Sequence, residues 1–320
     1  MPLPTGDIIG LLRDNLVIRK TVFPISKKNA TGWASGLDIP VGGETVIYTG
    51  SMYQLLPYII ASVKSLELFE DTFFENFVFL ARFFNRFINV SSFIAIPSGK
   101  DVREYSTIVR NIARLLINAG VKFGYFYEKE LYSGTLAHDL GAEDTFREHA
   151  RNVYAMLKKE GVKSIITVDP HTTNLMRSVY PVFIDDFDLE VKSYLEVLAE
   201  KDIEPEKQIG EDLIIHDSCM YARGERIIDE PRTLLSKAGY NLIELKDSRE
   251  MTHCCGGPIE SLFPSAANRI GAKRVEHLAD GNASAVTMCP ICLATLKKAS
   301  EGKLRVEDIS TLLARAYCGE

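Results

Sequence analysis

No cysteine precedes Cys219 in this 320-residue chain, and five of the six that follow stand where a strand-like run gives out. Cys219 comes shortly after Leu213–Ile215, and Cys254 and Cys255 after Leu242–Leu245. Cys289 and Cys292 follow Ala285–Thr287, while Cys318 lies apart near the C-terminus. In a parallel α/β unit the carboxyl ends of the strands gather on one edge, where ligands bind. A chain that folds this way brings five thiols from three loops to one place. The rest of the sequence fits that architecture. Further short apolar runs occur at Val46–Tyr48, Phe123–Phe126 and Ile165–Val168. Helical periodicity falls between the runs, at Ile112–Ala119, Phe146–Glu160, Thr233–Ala238, Ala266–Leu278 and Leu293–Ala299. Alternation of this kind predicts an α/β fold with mainly parallel sheets flanked by helices.

The pattern occurs twice. Ser51-Met52-Tyr53 echoes Cys219-Met220-Tyr221, and Leu115–Gly120 echoes Leu234–Gly239. Tyr132-Ser133-Gly134 stands where the second half has Cys254-Cys255-Gly256, and Asp169-Pro170-His171-Thr172 where it has Cys289-Pro290-Ile291-Cys292. Four matches in one order predict two duplicated lobes. Residues 1–43 read as a lead-in, 44–205 as a repeat without cysteines and 206–320 as a cysteine-complete repeat. The acidic stretch Asp185–Asp212 reads as a terminal helix and linker, which puts the boundary near residue 205. The first repeat carries an extra segment, 54 to 105, rich in phenylalanine (Phe69, Phe73, Phe74, Phe77, Phe79, Phe83, Phe84, Phe87, Phe93). Its spacing reads as a helical face for core packing, with a partner-docking surface as the alternative.

Charge and hydropathy narrow the partners. Thirty-seven Lys and Arg against 43 Asp and Glu give a net charge of -6 without a basic block, so nucleic acid is not expected. The most apolar stretch, Phe69–Pro97, is broken by Glu70, Asp71, Glu75, Arg82 and Arg86, and predicts no membrane-spanning helix. The N-terminus lacks a basic-then-apolar leader, which makes the cytoplasm the expected location. No glycine-rich phosphate loop of known spacing occurs.

Clustered cysteines in a chain of this size point to metal binding or redox chemistry rather than a disulfide scaffold. Zinc takes four tetrahedral ligands, which leaves one thiolate over and sets two adjacent cysteines awkwardly around one ion. An iron–sulfur cluster offers several irons, so adjacent thiolates can serve different ones, and neighbouring glycines let backbone N–H groups approach the sulfides. A helix beginning at Cys292 would turn its positive end toward an anionic cluster. Both metals stay open, with the cluster the better fit.

Cys219, then thirty-four residues, Cys254-Cys255-Gly256, then thirty-two residues, and Cys289-Pro290-Ile291-Cys292 resembles the cysteine-rich CCG domain. That domain occurs in the catalytic subunit of heterodisulfide reductases and in iron–sulfur subunits of glycolate and lactate oxidases. The resemblance implies one noncubane [4Fe-4S] cluster held by Cys219, Cys254, Cys255, Cys289 and Cys292, with zinc as the alternative. It implies an oxidoreductase subunit that reduces a disulfide, or oxidises a thiol or persulfide; the candidate catalytic residues are Cys255 and, from their place beside the motif, His253 and His216. Its alternatives are an electron relay in a flavin-linked hydroxyacid oxidase and a non-catalytic zinc-binding assembly subunit. Where the family has a second cysteine set, this chain has Ser51, Tyr132, Ser133, Asp169 and Thr172, so one cluster is expected, not two. The Cys-x-x-Cys-x-x-Cys pattern of ferredoxin-type relatives is missing as well. Electrons are therefore expected from a ferredoxin-type or flavin partner subunit.

The histidines carry two readings. His216 and His253 flank the motif and could pass a proton to a thiolate, or simply hydrogen-bond a sulfur. Asp169, His171, His138 and Ser133 could form a second metal site. The alternative is a decayed cluster pocket whose side chains bond to one another. Cys318 reads as a bystander.

Overall fold

The computed structural model describes residues 5–69, 82, 84, 85, 89 and 91–319. Among the described residues, seven short parallel strands build two sheets. The first contains β1 (Thr45–Tyr48), β2 (Ser164–Thr167) and β3 (Glu190–Ser193) in the order β1-β2-β3. The second contains β4 (Asp212–His216), β5 (Asn241–Ile243), β6 (Ser284–Thr287) and β7 (Val306–Asp308), in the order β5-β4-β6-β7. Their apolar runs are buried on both faces, as parallel strands between helices must be: Val46, Ile47, Tyr48, Ile214, Ala285 and Val286 are all inaccessible.

The helices used below are α1 (Thr5–Arg19), α2 (Met52–Phe69), α3 (Gly99–Asn118), α4 (Glu143–Lys159), α5 (Pro170–Asn174), α6 (Tyr194–Glu200), α7 (Asp229–Lys237), α8 (Pro264–Ala279), α9 (Pro290–Ser300) and α10 (Ile309–Tyr317). Their starts are written in the sequence. Ser98 caps α3 by accepting the Asp101 N–H at 3.1 Å. Ser193 and Glu196 form a reciprocal capping box on α6. Pro170 and Pro290 occupy the first positions of α5 and α9, where a missing N–H is harmless.

The two sheets repeat one plan, with β4, β6 and β7 in the places of β1, β2 and β3. The expected strand Phe123–Phe126 holds the place of β5, but it is reduced to two bridges, Val46 to Gly124 and Val41 to Tyr125. The backbone crowds it: a Cβ on Gly124 would lie 1.7 Å from the Gly42 carbonyl oxygen. β3 and β7 were not expected. They are short edge strands, written EVKS and VED, whose charged residues hide the alternation. The stretch Asp185–Asp212 thus holds a strand before its helix.

The lobes meet through reciprocal contacts, the signature of a two-fold relation. Helix α3 of the first lobe packs on α10 of the second, and α7 of the second packs on α6 of the first. Tyr53 donates its hydroxyl to Asp308 at the end of β7 (2.7 Å), and Tyr221 shares a 2.7 Å hydrogen bond with Ser193 at the end of β3. These tyrosines are the third residues of the matched Ser51 and Cys219 triplets. Of the phenylalanine-rich segment, Phe73, Phe74, Phe77, Phe79, Phe83 and Phe87 lie outside the described residues, and Phe93 is exposed. No helix among the described residues is long and apolar enough to cross a membrane.

Candidate metal centre

The turns after β4, β5 and β6 bring together all five cysteines of the motif. Every one is a free thiol. The sulfurs neighbour one another in the order Cys219, Cys254, Cys255, Cys292 and Cys289, each close enough to the next to shift its ionisation. Cys255, Cys289 and Cys292 are buried, and Cys219 and Cys254 lie half-exposed at the rim. Hydrogen bonds from Cys219 and Cys255, together with the Gly256 N–H, hold Cys254 far below the usual thiol range. Burial opposes ionisation of Cys289, but bonds from Cys292 and His171 outweigh it and hold that thiol low as well. Cys219, Cys255 and Cys292 are pushed up in turn, first by these sulfur contacts and also by burial. Negative charge is thus favoured on two of the five sulfurs, those of Cys254 and Cys289.

Backbone geometry supports the same use. Gly256 sits at φ +85°, and a Cβ there would lie 2.9 Å from the Ala267 carbonyl oxygen. The turn aims the N–H groups of Gly256 and Gly257 at the sulfurs of Cys254 and Cys255, each at 3.4 Å. Cys289 is the N-cap residue of α9 and Cys292 lies in its first turn, so the helix presents its positive end to the sulfurs.

The electrostatic partners of the thiols were not foreseen from the sequence. Arg274 is 1% exposed; its Nε donates to His216 Nδ1 at 3.1 Å, while Nη1 and Nη2 have no hydrogen-bond partner among the described residues. Its signal is visible in retrospect: an arginine on the buried stripe Ala267, Gly271, Val275, Leu278 of α8. Accepting from Arg274 fixes the proton of His216 on Nε2, which is buried and unpartnered. Burial and then Arg274 pull the His216 pKa down to about 3, so the imidazole is neutral. One of its nitrogens lies within 4.8 Å of the sulfurs of Cys255 and Cys292. His216 thus stands beside the sulfurs as a neutral imidazole whose buried N–H makes no hydrogen bond among the described residues. Asp217, also unforeseen, ties the loops together. It receives a bidentate bond from Arg232 (2.7 and 3.0 Å) and the Arg249 N–H at 2.6 Å, and its carbonyl accepts from Thr252 at 3.0 Å.

His253 is the predicted residue that stands apart. Its side chain is 49% exposed, with Nε2 at 3.8 Å from Asp247 Oδ2 and its ring 5.2 Å from that of His277. Cys318 is likewise separate, ending α10 with its carbonyl near Arg114.

In the first lobe the matching positions hold each other. Gly134 repeats the turn of Gly256 at φ +89°. Ser133 Oγ lies 2.8 Å from Thr135 Oγ1 and donates to the Gly50 carbonyl at 3.3 Å, and the Ser133 carbonyl accepts from Tyr180 at 2.9 Å. Asp169 stands where the second lobe has Cys289, but it caps α5, accepting the N–H groups of His171 and Thr172, each at 3.0 Å. Ser51, at φ +58°, departs from the right-handed backbone of Cys219. His138 Nδ1 lies 3.5 Å from Glu143 Oε2. Among the described residues these side chains do not gather as a metal-ligand group. His171 instead crosses to the other lobe. It is buried against Cys289, with Nδ1 at 3.1 Å from Asp139 Oδ2, and this carboxylate and sulfur raise its pKa against the effect of burial.

Nearby Glu130 gives a pH test of the first lobe. It accepts the Thr49 N–H at 3.0 Å and the Thr49 hydroxyl, yet burial lifts its carboxyl from 4.5 to about 8. The folded protein keeps this proton across a window in which the unfolded chain loses it, so stability falls as pH rises from about 4.5 to 8. Glu130→Gln is expected to raise Tm at pH 8 and to leave it nearly unchanged at pH 4.5; thermal unfolding at the two pH values checks this.

The donor set fits an iron–sulfur cluster: five converging thiols, two peptide N–H groups, a helix start and a buried guanidinium with two unpaired nitrogens. Residues 213–297 match the family model of the CCG cysteine-rich domain. A probable iron-sulfur-binding oxidoreductase FadF of Bacillus subtilis is 35% identical over 225 residues, which is 66% of this chain and 32% of that protein. The EtfAB:quinone oxidoreductase of Syntrophomonas wolfei is 31% identical over 231 residues, again 66% of this chain and 32% of that protein. One subunit of the fumarate reductase (CoM/CoB) of Methanothermobacter marburgensis is 32% identical over 168 residues, 49% of this chain and 33% of that protein. The chain thus spans about a third of the length of these curated relatives.

Proposed function

Because residues 213–297 are a cysteine-rich domain of the CCG family, we propose that this chain is the iron–sulfur electron-transfer subunit of an oxidoreductase complex. Its single centre is a noncubane [4Fe-4S] cluster on Cys219, Cys254, Cys255, Cys289 and Cys292. The observation that carries this reading is the convergence of five free thiols beside a buried guanidinium with two unpartnered nitrogens. When bound, such a cluster supplies one-electron redox chemistry. The protein's own groups do the rest. Arg274 and the start of α9 offset negative charge, the Gly256 and Gly257 N–H groups donate to sulfur, and neutral His216 lies beside Cys255 and Cys292. His171, braced by Asp139, closes the site from the other lobe. Charge compensation and hydrogen bonds of this kind raise a cluster's reduction potential.

Relay is favoured over sulfur chemistry because three of the five sulfurs are buried and the facing lobe offers serine, aspartate and threonine in place of a second cysteine set. A relay needs proximity to a donor and an acceptor, not a substrate bound to iron. The relative named an EtfAB:quinone oxidoreductase agrees with relay between protein partners. The second reading is disulfide reduction, or its reverse with a thiol or persulfide, favoured by the half-exposed rim at Cys219 and Cys254 and by the relative named for CoM/CoB. Zinc on the same cysteines would give an assembly subunit. Anaerobically purified protein, oxidised and mixed with excess thiol, separates the two redox readings. An unchanged EPR spectrum, with one-electron reduction by a reduced flavoprotein, is the expected result. A new thiol-dependent signal would replace the relay with disulfide chemistry.

A further inference from the structure

Outside the five-cysteine pocket, the loop that carries the Cys254–Cys255 pair places a second set of metal-ligating side chains against helix α8. Asp247 and His253 bracket the turn Arg249–Met251, and His277 stands in the last turn of α8. One ligand atom from each lies within 4.8 Å of both others. Asp247 Oδ2 and His253 Nε2 are 3.8 Å apart, too far for a hydrogen bond, and the two imidazoles lie with ring centroids 5.2 Å apart. Nδ1 of His277 is buried with no hydrogen-bond partner among the described residues. Three donors that face one another without bonding are short of a common partner. Two imidazoles and one carboxylate form a donor set for a borderline divalent ion, not for calcium or magnesium, which take oxygen ligands. Metal–ligand bonds of about 2.0–2.2 Å need donors closer together than these, a movement that exposed His253 is free to make.

We propose that Asp247, His253 and His277 bind one divalent transition-metal ion of the zinc type, separate from the five-cysteine centre. The ion fastens the loop 247–253 to α8. Its remaining coordination positions face solvent on the side of His253. The site uses no thiolate and does not depend on what the cysteines bind.

Cobalt(II) titration of the full-length protein, purified anaerobically with its iron in place, tests this. The expected result is one cobalt per chain with weak d–d absorption and no intense thiolate charge-transfer band. His277→Ala and Asp247→Asn should each weaken cobalt binding by more than about 100-fold, beyond the loss seen when only supporting groups are removed. Both should leave iron content and far-UV circular dichroism as in the parent, which separates loss of the site from loss of the fold. The proposal is overturned if the parent binds no cobalt, if the variants bind as tightly as the parent, or if cobalt appears only with the thiolate band. That band would report vacant cysteines, and so a failure of the iron–sulfur reading.

Discussion

Serine in place of Cys255 is expected to strip the protein of its iron. Cys255 is the middle sulfur of the five, next to Cys254 on one side and Cys292 on the other, and it is 2% exposed. Serine keeps the size and offers a hydroxyl, whose ionisation in a buried site is far harder than that of a thiol. Its loss separates the rim pair, Cys219 and Cys254, from the buried pair, Cys289 and Cys292, and leaves the cluster one ligand short at its middle. Iron per chain should fall close to zero after anaerobic purification. Ser51→Ala, at the matching position of the first lobe, should leave iron at the parental level, because Ser51 lies outside the sulfur pocket and its N–H bonds to Thr49 Oγ1 at 3.1 Å. Iron loss in that variant would show that the first lobe contributes ligands after all.

Arg274→Met should have effects of opposite sign on the empty and the filled protein. Without a metal, the guanidinium is a buried cation whose Nη1 and Nη2 are unpaired, and burial pulls its pKa below the ordinary value. Replacing a buried charged group with a well-packed apolar side chain commonly stabilises by about 1–4 kcal/mol. The loss of one hydrogen bond to His216 offsets that by about 1 kcal/mol. Urea unfolding of metal-free protein should therefore show the variant equal or more stable. In the filled protein the same change removes a positive charge beside an anionic centre. Its midpoint potential should drop on the order of 59 mV, one tenfold step for a one-electron couple, and iron retention should fall. A variant that is less stable when empty and unchanged in potential when filled would mean that Arg274 serves packing alone.

Much of this molecule was legible before any coordinates. The buried strands announce themselves as unbroken β-branched and aliphatic runs, as at Ile214–Ile215 and Val46–Ile47, because both faces of a parallel sheet are covered. Convergence of the cysteines follows from topology once each is seen to end a strand. The duplication was readable at Tyr132-Ser133-Gly134 because the left-handed turn at Gly134 and Gly256 needs glycine in both lobes. What stayed hidden depends on long-range geometry. The edge strands β3 and β7 carry too few residues to show a period. His171 carries no clear signal in sequence, since its contact with Cys289 exists only when the lobes close on each other. Asp217 and Arg232 are ordinary charged residues in sequence, and only burial gives them a role; Asp139 gains one only by facing His171. Arg274 alone left a trace, as a cation on an apolar helical stripe.

The two-fold relation also explains why the first lobe is present although its cysteines are not. Tyr53 and Tyr221 exchange hydrogen bonds across the interface, and α3 and α7 pack on the opposite lobe's last helix, so each lobe completes the other. The first lobe can lose its ligands to serine, aspartate and threonine and still be needed to bury Cys289.

Iron and acid-labile sulfide, counted in anaerobically purified full-length protein together with its Mössbauer spectrum, test the central claim most directly. The expected result is a brown protein with about four irons and a matching number of sulfides per chain, all dependent on Cys255. A colourless protein holding one zinc on these cysteines, or one whose five thiols oxidise pairwise to disulfides without ever taking up iron, would contradict it.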